Sequence, residues 1–389
     1  MRVLSVAHTA VSRGTGRLRY HPFAGMPDLD VHLVAPSYWR EFGREITADP
    51  GEDPGVTMHL ERVVLPSLPV VGWYLHVYPT LGRLIRRLQP DVIHLWEEPW
   101  SAVALQAALF KRNAALVLEV DQNILKRLAG PFEWIRRFVL RHTTLVLSRS
   151  SEATEVVRAC GFKGAVSPIG YGVDDKTFTR SPTALQRHAD APLRLCYFGR
   201  LIEEKGLDDA LLAMRRASAP VVLKIMGSGP YEGALRQRVR DLELPDRVSF
   251  QGWGSPQDVA QFIGGADLSI LLTRTTESVR EQFGRAIIES QSCGVPVIGS
   301  ACGAIPHVLG PGGWIVPERS PAAIAHLLEK LYANPETIRA CGDLGRANVA
   351  NRFTYEKTAQ ALAEAWKRAA STKVAIAVDS TRTGNAERI

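Results

Sequence analysis

Short apolar segments alternate with longer helical segments twice along this chain, and this alternation constrains its fold more than any other feature. In the first half, residues 2–7, 31–35, 92–96, 116–120 and 145–148 have the composition of buried strands. Helical spacing lies between them, in residues 74–88, 101–111, 131–141 and 151–159, and Ser150 or Ser151 is placed to cap the last of these helices. Such alternation is typical of a parallel sheet covered by helices on both faces.

The alternation stops and then begins again, which predicts two domains. Residues 174–191 are polar and contain two prolines, so they have the composition of a linker. Further strand segments follow, at residues 193–198, 221–226, 247–251, 268–272, 295–300 and 314–316. We therefore predict an α/β protein with two doubly wound parallel-sheet domains facing across a cleft. The predicted bounds are 1–172, a linker at 173–191, 192–353, a C-terminal helix at 354–370 packing back on the first domain, and a disordered tail at 371–389.

Composition excludes several classes of protein. With 46% hydrophobic and 22% charged residues, the chain has the composition of a soluble globular protein. It has no run of 18 apolar residues, and its first residues lack the features of a signal peptide. The five cysteines form no Cys-x-x-Cys pair, and the histidines and acids show no metal-ligand spacing, so we expect reduced thiols, a cytoplasmic location and no metal.

The net charge is +7, and three clusters of basic residues lie in the first half. These clusters are Arg83, Arg86 and Arg87, then Lys126 and Arg127, then Arg136, Arg137 and Arg141. One interpretation is that they are solvated helix faces. The other is peripheral contact with anionic lipid at the inner face of a membrane, or with a lipid-diphosphate acceptor. Interleaved stacking aromatics and recognition motifs are absent, which argues against nucleic acid as a partner.

Two acids in the second half flank the predicted start of a helix. Glu281 precedes Phe283 and Gly284, and Glu289 follows on the body of the helix. Carboxylates can bind sugar hydroxyls, while a helix N-terminus attracts phosphate. This layout suits a nucleotide-sugar, and the alternative is a solvated helix face.

The ends of the predicted strands carry the other candidate residues, because ligands bind at the carboxyl ends of parallel strands. The strand at 193–198 is followed by Gly199-Arg200 and then Lys205, two cations that can converge on one anion. A leaving diphosphate would be stabilised there, although a surface pair of bases has the same pattern. Gly227 and Gly229 follow the next strand, where small residues permit close approach of a ring or a backbone.

Taken in order, these segments resemble the retaining glycosyltransferases of family 4, which have two Rossmann-like domains (the GT-B fold). The matching motifs begin with Gly199-Arg-Leu-x-x-x-Lys205-Gly and Met226-Gly-Ser-Gly-Pro230. They continue with Val248-Ser-Phe-x-Gly252, Glu281-x-Phe-Gly284 and Glu289-Ser-x-x-Cys-Gly-Val-Pro-Val297. The resemblance is specific over residues about 165–320 and rests on architecture in the first half.

The resemblance implies a role for each matching residue. Glu281 would bind hydroxyls of the transferred sugar with the amides around Phe283 and Gly284, and Glu289 would hold the ribose. Arg200 and Lys205 would stabilise the departing diphosphate in place of a metal ion, so no cofactor is expected. Gly199, Gly227 and Gly229 would line the donor site in the second domain, and the first domain would bind the acceptor.

The chain departs from the family pattern in two places. His307 stands where the family has a glutamate. This difference either alters a contact with the donor or is a surface substitution without consequence. Family members carry a histidine after a central strand, whereas this chain has Glu119-Val-Asp-Gln-Asn123. Asp121 or Gln122 could take that position, so Asp121 is a candidate catalytic residue and Gln122 a candidate acceptor ligand.

Other candidates in the first half are less specific. Gly14 and Gly16 occupy the place of the family's donor-phosphate loop, or they belong to a flexible loop. Glu97 and Glu98 end a predicted strand, where they would bind the acceptor or cap the following helix near Ser101.

The resulting hypothesis is a hexosyltransferase for polysaccharide biosynthesis, transferring a sugar to a glycan, glycolipid or small-molecule hydroxyl with retention of configuration. A nucleotide-sugar epimerase, a sugar phosphorylase and a non-catalytic nucleotide-sugar-binding protein remain as alternatives.

Overall fold

The chain divides into two units in the computed structural model, which describes residues 1–41, 44–66, 73–180 and 191–386. Unit 1 is formed by Met1–Gly170 together with the C-terminal segment Tyr355–Ile389, and unit 2 by Tyr171–Thr354. Residues 181–190 of the predicted linker lie outside the described part of the chain. Each unit contains its own parallel sheet, and the predicted α/β class with two parallel-sheet domains is confirmed.

Unit 1 is built on a parallel sheet in the order β5-β2-β1-β6-β7-β8-β9, with β3 and β4 pairing separately and antiparallel. Its strands are β1 Arg2–Val6, β2 Asp30–Pro36, β3 Tyr38–Glu41, β4 Arg44–Thr47, β5 Thr57–Glu61, β6 Val92–Trp96, β7 Ala115–Val120, β8 Leu145–Ser148 and β9 Ala165–Pro168. Its helices begin with α1 Leu81–Leu88, α2 Ala102–Phe110, α3 Gly130–His142 and α4 Ser151–Ala159.

The elements of unit 1 agree with the predicted strands and differ at one helix. All five predicted strands are present, because each is apolar and buried along nearly its whole length. The predicted helix at 74–88 begins only at Leu81, since Pro79 lacks the N–H that a helix interior needs. Ser150 caps α4 by accepting a hydrogen bond from the Ala153 amide at 3.1 Å, and Ser151 is the first helical residue.

Unit 2 contains a second parallel sheet in the order β12-β11-β10-β13-β14-β15. Its strands are β10 Leu193–Phe198, β11 Val221–Met226, β12 Val248–Gln251, β13 Leu268–Leu271, β14 Val297–Ser300 and β15 Gly313–Val316. Its helices are α5 Leu207–Arg216, α6 Glu232–Asp241, α7 Pro256–Gly264, α8 Arg285–Ser292, α9 Ile305–Leu309, α10 Pro321–Ala333 and α11 Pro335–Arg352. All six predicted strands of the second half are present to within two residues at each end.

The last helix, α12 Tyr355–Ala386, belongs to unit 1 although it follows unit 2 in the chain. Its Trp366 is fully buried and stacks on Phe23 with the ring centroids 5.0 Å apart. The helical backbone continues past residue 370, where the sequence predicts a disordered tail. The packing of Trp366 shows that residues near both ends of the chain contribute to one core.

Two observations concern contact between the chain and a membrane. Arg83, Arg86 and Arg87 are exposed on α1, whereas Leu84 and Ile85 between them are buried. In the described part of the chain, none of the helices is both long and apolar enough to traverse a lipid bilayer.

We expect Trp366→Ala to lower the free energy of unfolding by about 3–5 kcal/mol, because it leaves a cavity beneath α12. Trp134→Ala is a matched control, since Trp134 is 58% exposed and its loss should cost about 0.5 kcal/mol or less. Urea unfolding followed by circular dichroism measures both. Equal destabilisation by the two variants would contradict the packing described for α12.

Candidate active site

The sheet of unit 2 has a switch point between β10 and β13, where the order of the strands reverses. The chain passes from β10 outward to β11 and β12, then returns to β13 on the other side of β10. In open α/β sheets, ligands bind outside the carboxyl ends of the strands at such a point. Lys205 lies in the segment after β10, and Thr273 lies just after β13. Both side chains are therefore on segments that leave the switch point.

Lys205, Thr273 and Glu281 form one hydrogen-bonded cluster there. Lys205 Nζ donates to Glu281 Oε2 at 2.6 Å, and Thr273 Oγ1 donates to the same oxygen at 2.8 Å. The Lys205 side chain is 18% exposed and that of Glu281 is 13% exposed. The cluster is thus largely shielded but still reached by solvent. Two predicted residues are brought together, and Thr273, which sequence reasoning missed, orients both of them.

Gly206 allows the Lys205 segment to lie against the segment after β13. Its φ angle is +68°, and a Cβ atom at this position would stand 2.1 Å from the carbonyl oxygen of Leu272. Only glycine fits this contact without displacing the neighbouring backbone. The same two segments are joined by a hydrogen bond from the Arg274 amide to the Glu204 carbonyl at 2.7 Å. This close approach places Lys205 beside Thr273.

Two further contacts fix the segments that carry the cluster. Arg274 forms a two-pronged ion pair with Asp209 of α5, with N–O distances of 2.9 and 2.8 Å. The Ala304 amide donates to the Glu281 carbonyl at 3.0 Å, and Gly303, at a φ angle of +53°, lets the backbones approach. A Cβ atom on Gly303 would lie 2.2 Å from that carbonyl oxygen. The backbone on both sides of the cluster is therefore held by the surrounding loops.

The segments that follow β10 and β11 pack closely against each other at glycine residues. A Cβ atom on Gly227 would lie 2.0 Å from the Gly199 carbonyl oxygen, and one on Gly229 would lie 2.2 Å from that of Leu201. The Leu201 amide also donates to the Ser228 carbonyl at 3.0 Å. Loop-on-loop packing is thus a structural reason for these glycines. Their contact with a donor remains a prediction.

Helix α8 carries Glu289, as the sequence predicts. The helix begins after Gly284, whose φ angle is +87°, and Arg285 Nη2 lies 3.6 Å from Glu289 Oε1. Burial raises the pKa of Glu289, and the positive charge of Arg285 partly opposes this rise. The Glu289 side chain is 16% exposed. Phe283 is buried edge-on to Tyr171, at 5.1 Å between ring centroids, so its ring belongs to the core. Its amide remains the group predicted to face the sugar.

Arg200 and His307 are both exposed. Tyr197 Oη donates to the backbone carbonyl of Arg200 at 2.7 Å, which fixes the start of the segment that ends at Lys205. Convergence of the Arg200 and Lys205 side chains on one anion remains a prediction. His307 lies on α9, where its ring and carbonyl contact Arg352 at 3.0 and 3.2 Å. His307 is therefore held against Arg352 at the surface of unit 2.

The candidates of unit 1 lie at the carboxyl ends of its strands and bond to one another. Arg149 Nε donates to Asp121 Oδ1 at 2.8 Å, and the Asp121 side chain is 23% exposed. Glu98 accepts from the amides of Asp121 and Gln122 at 2.9 and 2.8 Å. Burial, with the charge of Asp121, raises the pKa of Glu98 to about 8 against the effect of those two amides.

The capping interpretation of the two glutamates is wrong, because Ser101 caps α2 by accepting from the Ala104 amide at 3.2 Å. Glu98 binds the amides of the neighbouring segment instead. The place of Glu97 and Glu98 in binding an acceptor remains a prediction.

Glu97 lies between two histidines. His8 Nδ1 is 2.7 Å from Glu97 Oε1, and His76 Nε2 is 3.5 Å from the same oxygen. Although burial acts to raise it, the two imidazoles lower the pKa of Glu97 to about 2. The glutamate is therefore a carboxylate in the folded protein. Sequence reasoning missed both histidines, although His8 follows β1 and Glu97 follows β6, which are neighbours in the sheet.

The glycine loop predicted at residues 12–17 is a π-helical turn, Arg13–Arg17. Gly14 is exposed with open space around it. Gly16 is buried, and a Cβ atom there would lie 2.4 Å from the Thr9 carbonyl oxygen. Packing within unit 1 therefore accounts for Gly16, and the phosphate contact of either glycine remains a prediction.

Two family models match the chain, one over each half. The model of glycosyltransferase family 4 matches residues 25–177, and that of the glycosyl transferases group 1 matches residues 185–348. The chain belongs to this family of glycosyltransferases.

Curated relatives of the chain include two bacterial glycosyltransferases. The chain is 30% identical over 208 residues to the putative colanic acid biosynthesis glycosyltransferase WcaL of Salmonella typhimurium, covering 52% of this chain and 50% of that protein. It is 26% identical over 322 residues to a GDP-mannose-dependent alpha-(1-6)-phosphatidylinositol dimannoside mannosyltransferase of Mycobacterium tuberculosis, covering 77% and 81%. The match thus spans half the length of the first relative and about four fifths of the second.

Solved structures share the fold. Sucrose-phosphate synthase from Thermosynechococcus elongatus superposes with a TM-score of 0.72 at 20% identity, over 95% of this chain and 98% of that one. Anabaena Alr3699/HepE in complex with UDP and glucose superposes with a TM-score of 0.68 at 18% identity, over 94% and 98%. These structures are glycosyltransferases of the GT-B type, and the chain has that fold.

Gly206→Ala should destabilise unit 2 and displace Lys205, since it adds backbone strain of about 1–3 kcal/mol and a steric clash of similar size. We expect a loss of at least about 2 kcal/mol in urea unfolding. Gly233→Ala on α6 is the control, because a Cβ atom there meets nothing within 4 Å. It should be neutral or stabilising by about 0.5–1 kcal/mol. Similar stability of the two variants would contradict the role of Gly206.

Proposed function

We propose that this protein transfers a sugar from a nucleotide-sugar donor to a hydroxyl group of a glycan, glycolipid or small-molecule acceptor, with retention of anomeric configuration. The observation that carries the proposal is the cluster of Lys205, Thr273 and Glu281 at the switch point of unit 2. It places a cation and a carboxylate side by side, and a nucleotide-sugar presents a diphosphate beside a set of hydroxyls. Membership of the glycosyltransferase family supports the same chemistry.

Each side chain has a distinct part in the proposed reaction. The Glu281 carboxylate would accept hydrogen bonds from hydroxyls of the transferred sugar, which are stronger for being charge-assisted. Lys205, with Arg200, would stabilise the negative charge that develops on the diphosphate as its bond to the anomeric carbon breaks. The Lys205–Glu281 bond keeps the ammonium group in position before the donor arrives. Such preorganisation avoids the cost of reorienting the group during the reaction.

The proposed transfer needs no dedicated protein base, because the departing diphosphate accepts the proton of the acceptor. The bond from the anomeric carbon to the diphosphate oxygen breaks, and the electron pair remains on the diphosphate. The acceptor oxygen bonds to the anomeric carbon on the same face, and its proton passes to the departing phosphate oxygen. A retaining reaction of this kind requires the diphosphate to be held in place, and this is the part assigned to the cations of unit 2.

The donors named for relatives guide the choice of test ligands. The mycobacterial relative is named as GDP-mannose-dependent, and the Anabaena structure contains UDP and glucose. We therefore propose thermal-shift screening of this protein against UDP-, GDP- and ADP-sugars. A ligand that binds the folded state raises the melting temperature by mass action.

Lys205→Ala and Glu281→Ala should each lower kcat/KM for the donor identified in that screen by about 10²- to 10³-fold, the range seen when one charge-stabilising group is removed. Release of nucleoside diphosphate measures the rate. Lys224→Ala and Glu336→Gln are matched controls, because both residues are exposed in unit 2 away from the cluster. Undiminished transfer by both Lys205→Ala and Glu281→Ala would show that the site is wrongly assigned.

The stereochemistry of the product tests the proposed retention. Proton NMR of the reaction should show an anomeric proton with the same configuration in the product as in the donor. Inverted configuration would contradict retention. Release of a free isomerised sugar from the donor alone would favour an epimerase, and dependence on inorganic phosphate would favour a phosphorylase.

A further inference from the structure

A second polar cluster lies in unit 1, at the switch point of its own sheet. The chain passes from β1 outward to β2 and β5, then returns to β6 on the other side of β1. His8 follows β1 and Glu97 follows β6, and His76 completes the cluster. One ligand atom from each of the three side chains lies within 4.8 Å of the other two. All three residues belong to unit 1, and none takes part in the Lys205–Glu281 cluster.

The burial of this cluster restricts what can balance its charge. The side chains of His76 and Glu97 are fully buried, while that of His8 is 18% exposed. Among the described residues, Glu97 Oε1 faces the two imidazoles, but Oε2 is buried with no hydrogen-bond partner. A buried carboxylate oxygen without a donor is costly. Its position therefore points to a positively charged ligand.

Aromatic residues hold the imidazoles in place around the carboxylate. The ring centroid of Trp39 lies 4.8 Å from that of His8 and 5.0 Å from that of His76. Tyr78 packs edge-on against His76 at 5.7 Å. An apolar surround of this kind fixes the orientation of ligands and limits access of water to a metal site.

A hydrogen-bonded cluster with one protonated imidazole explains only part of this arrangement. It accounts for the 2.7 Å contact between His8 Nδ1 and Glu97 Oε1. It supplies no partner for Oε2, because both imidazoles are directed at the other oxygen. A divalent cation among the three side chains would interact with the whole carboxylate.

We propose that His8, His76 and Glu97 bind a first-row divalent transition-metal ion, with Zn²⁺ as the ion to test. Two imidazole nitrogens and one carboxylate oxygen form a donor set that suits zinc and leaves one coordination position for water or a solute. The His8 side chain, at 18% exposure, is the one member of the cluster that solvent reaches, so an ion can enter beside it. The proposal adds a metal site to unit 1 and changes nothing in the function proposed for unit 2.

The test measures metal bound by the 389-residue chain without an affinity tag. The protein is stripped with a chelator, dialysed against Zn²⁺ and analysed by mass spectrometry of the metal. We expect one ion per chain. His8→Ala, His76→Ala and Glu97→Gln should each weaken Zn²⁺ binding by more than about 10-fold, the lower limit found when residues that only support a ligand are changed.

His326→Ala is the matched control, because His326 is exposed on α10 in unit 2, and it should bind one ion as the unchanged protein does. Zn²⁺ should raise the melting temperature of the unchanged protein and not that of His8→Ala. His8 is the least buried of the three side chains, so this variant should disturb folding least. Less than about 0.1 ion per chain, or equal binding by all three ligand variants and the control, would overturn the proposal. A donor-binding defect in Lys205→Ala has no bearing on this result, so the two proposals fail separately.

Discussion

The close approach of the segments that follow β10 and β13 is the constraint on which the candidate site depends. Gly206 permits it, because any side chain there would collide with the Leu272 carbonyl oxygen. The contact places Lys205 within 2.6 Å of Glu281, although 76 residues separate them in sequence. The ion pair between Arg274 and Asp209 reinforces the same approach. The relative positions of the charged groups of Lys205 and Glu281 are therefore determined by backbone packing.

Each unit has a polar cluster at the switch point of its sheet, but the residue types of the two clusters differ. In each unit, polar side chains of one cluster lie on the segments that follow the first strand of the sheet and the strand that returns beside it. In unit 2 these residues are a cation, a hydroxyl and a carboxylate, which suit a diphosphate and a sugar. In unit 1 they are two imidazoles and a carboxylate, which suit a metal ion. A parallel sheet brings together residues that are distant in sequence, and the residue types decide the ligand.

Much of the fold follows from the sequence, because buried parallel strands are apolar along their length and stand out from the helices. The four strands that prediction missed are of a different kind. β3 and β4 pair with each other outside the main sheet, and β5 and β9 are edge strands that are largely exposed or half-buried. Lys205, Glu281 and Glu289 could be placed because each belongs to a motif shared with a known family. Thr273 and His76 carry no such signal, since their parts depend on contacts made only after folding. Gly206 illustrates the same limit, because its sequence neighbours do not reveal the carbonyl group that it must accommodate.

A crystal structure of this protein with a bound nucleotide-sugar would decide whether the cluster of unit 2 is the donor site. We expect the diphosphate to lie within hydrogen-bond distance of Lys205 Nζ and a sugar hydroxyl to donate to the Glu281 carboxylate. A donor bound at the carboxyl edge of the unit 2 sheet with both contacts would establish the site. A donor bound elsewhere, with the Lys205–Glu281 bond unchanged and its two side chains remote from the ligand, would contradict it.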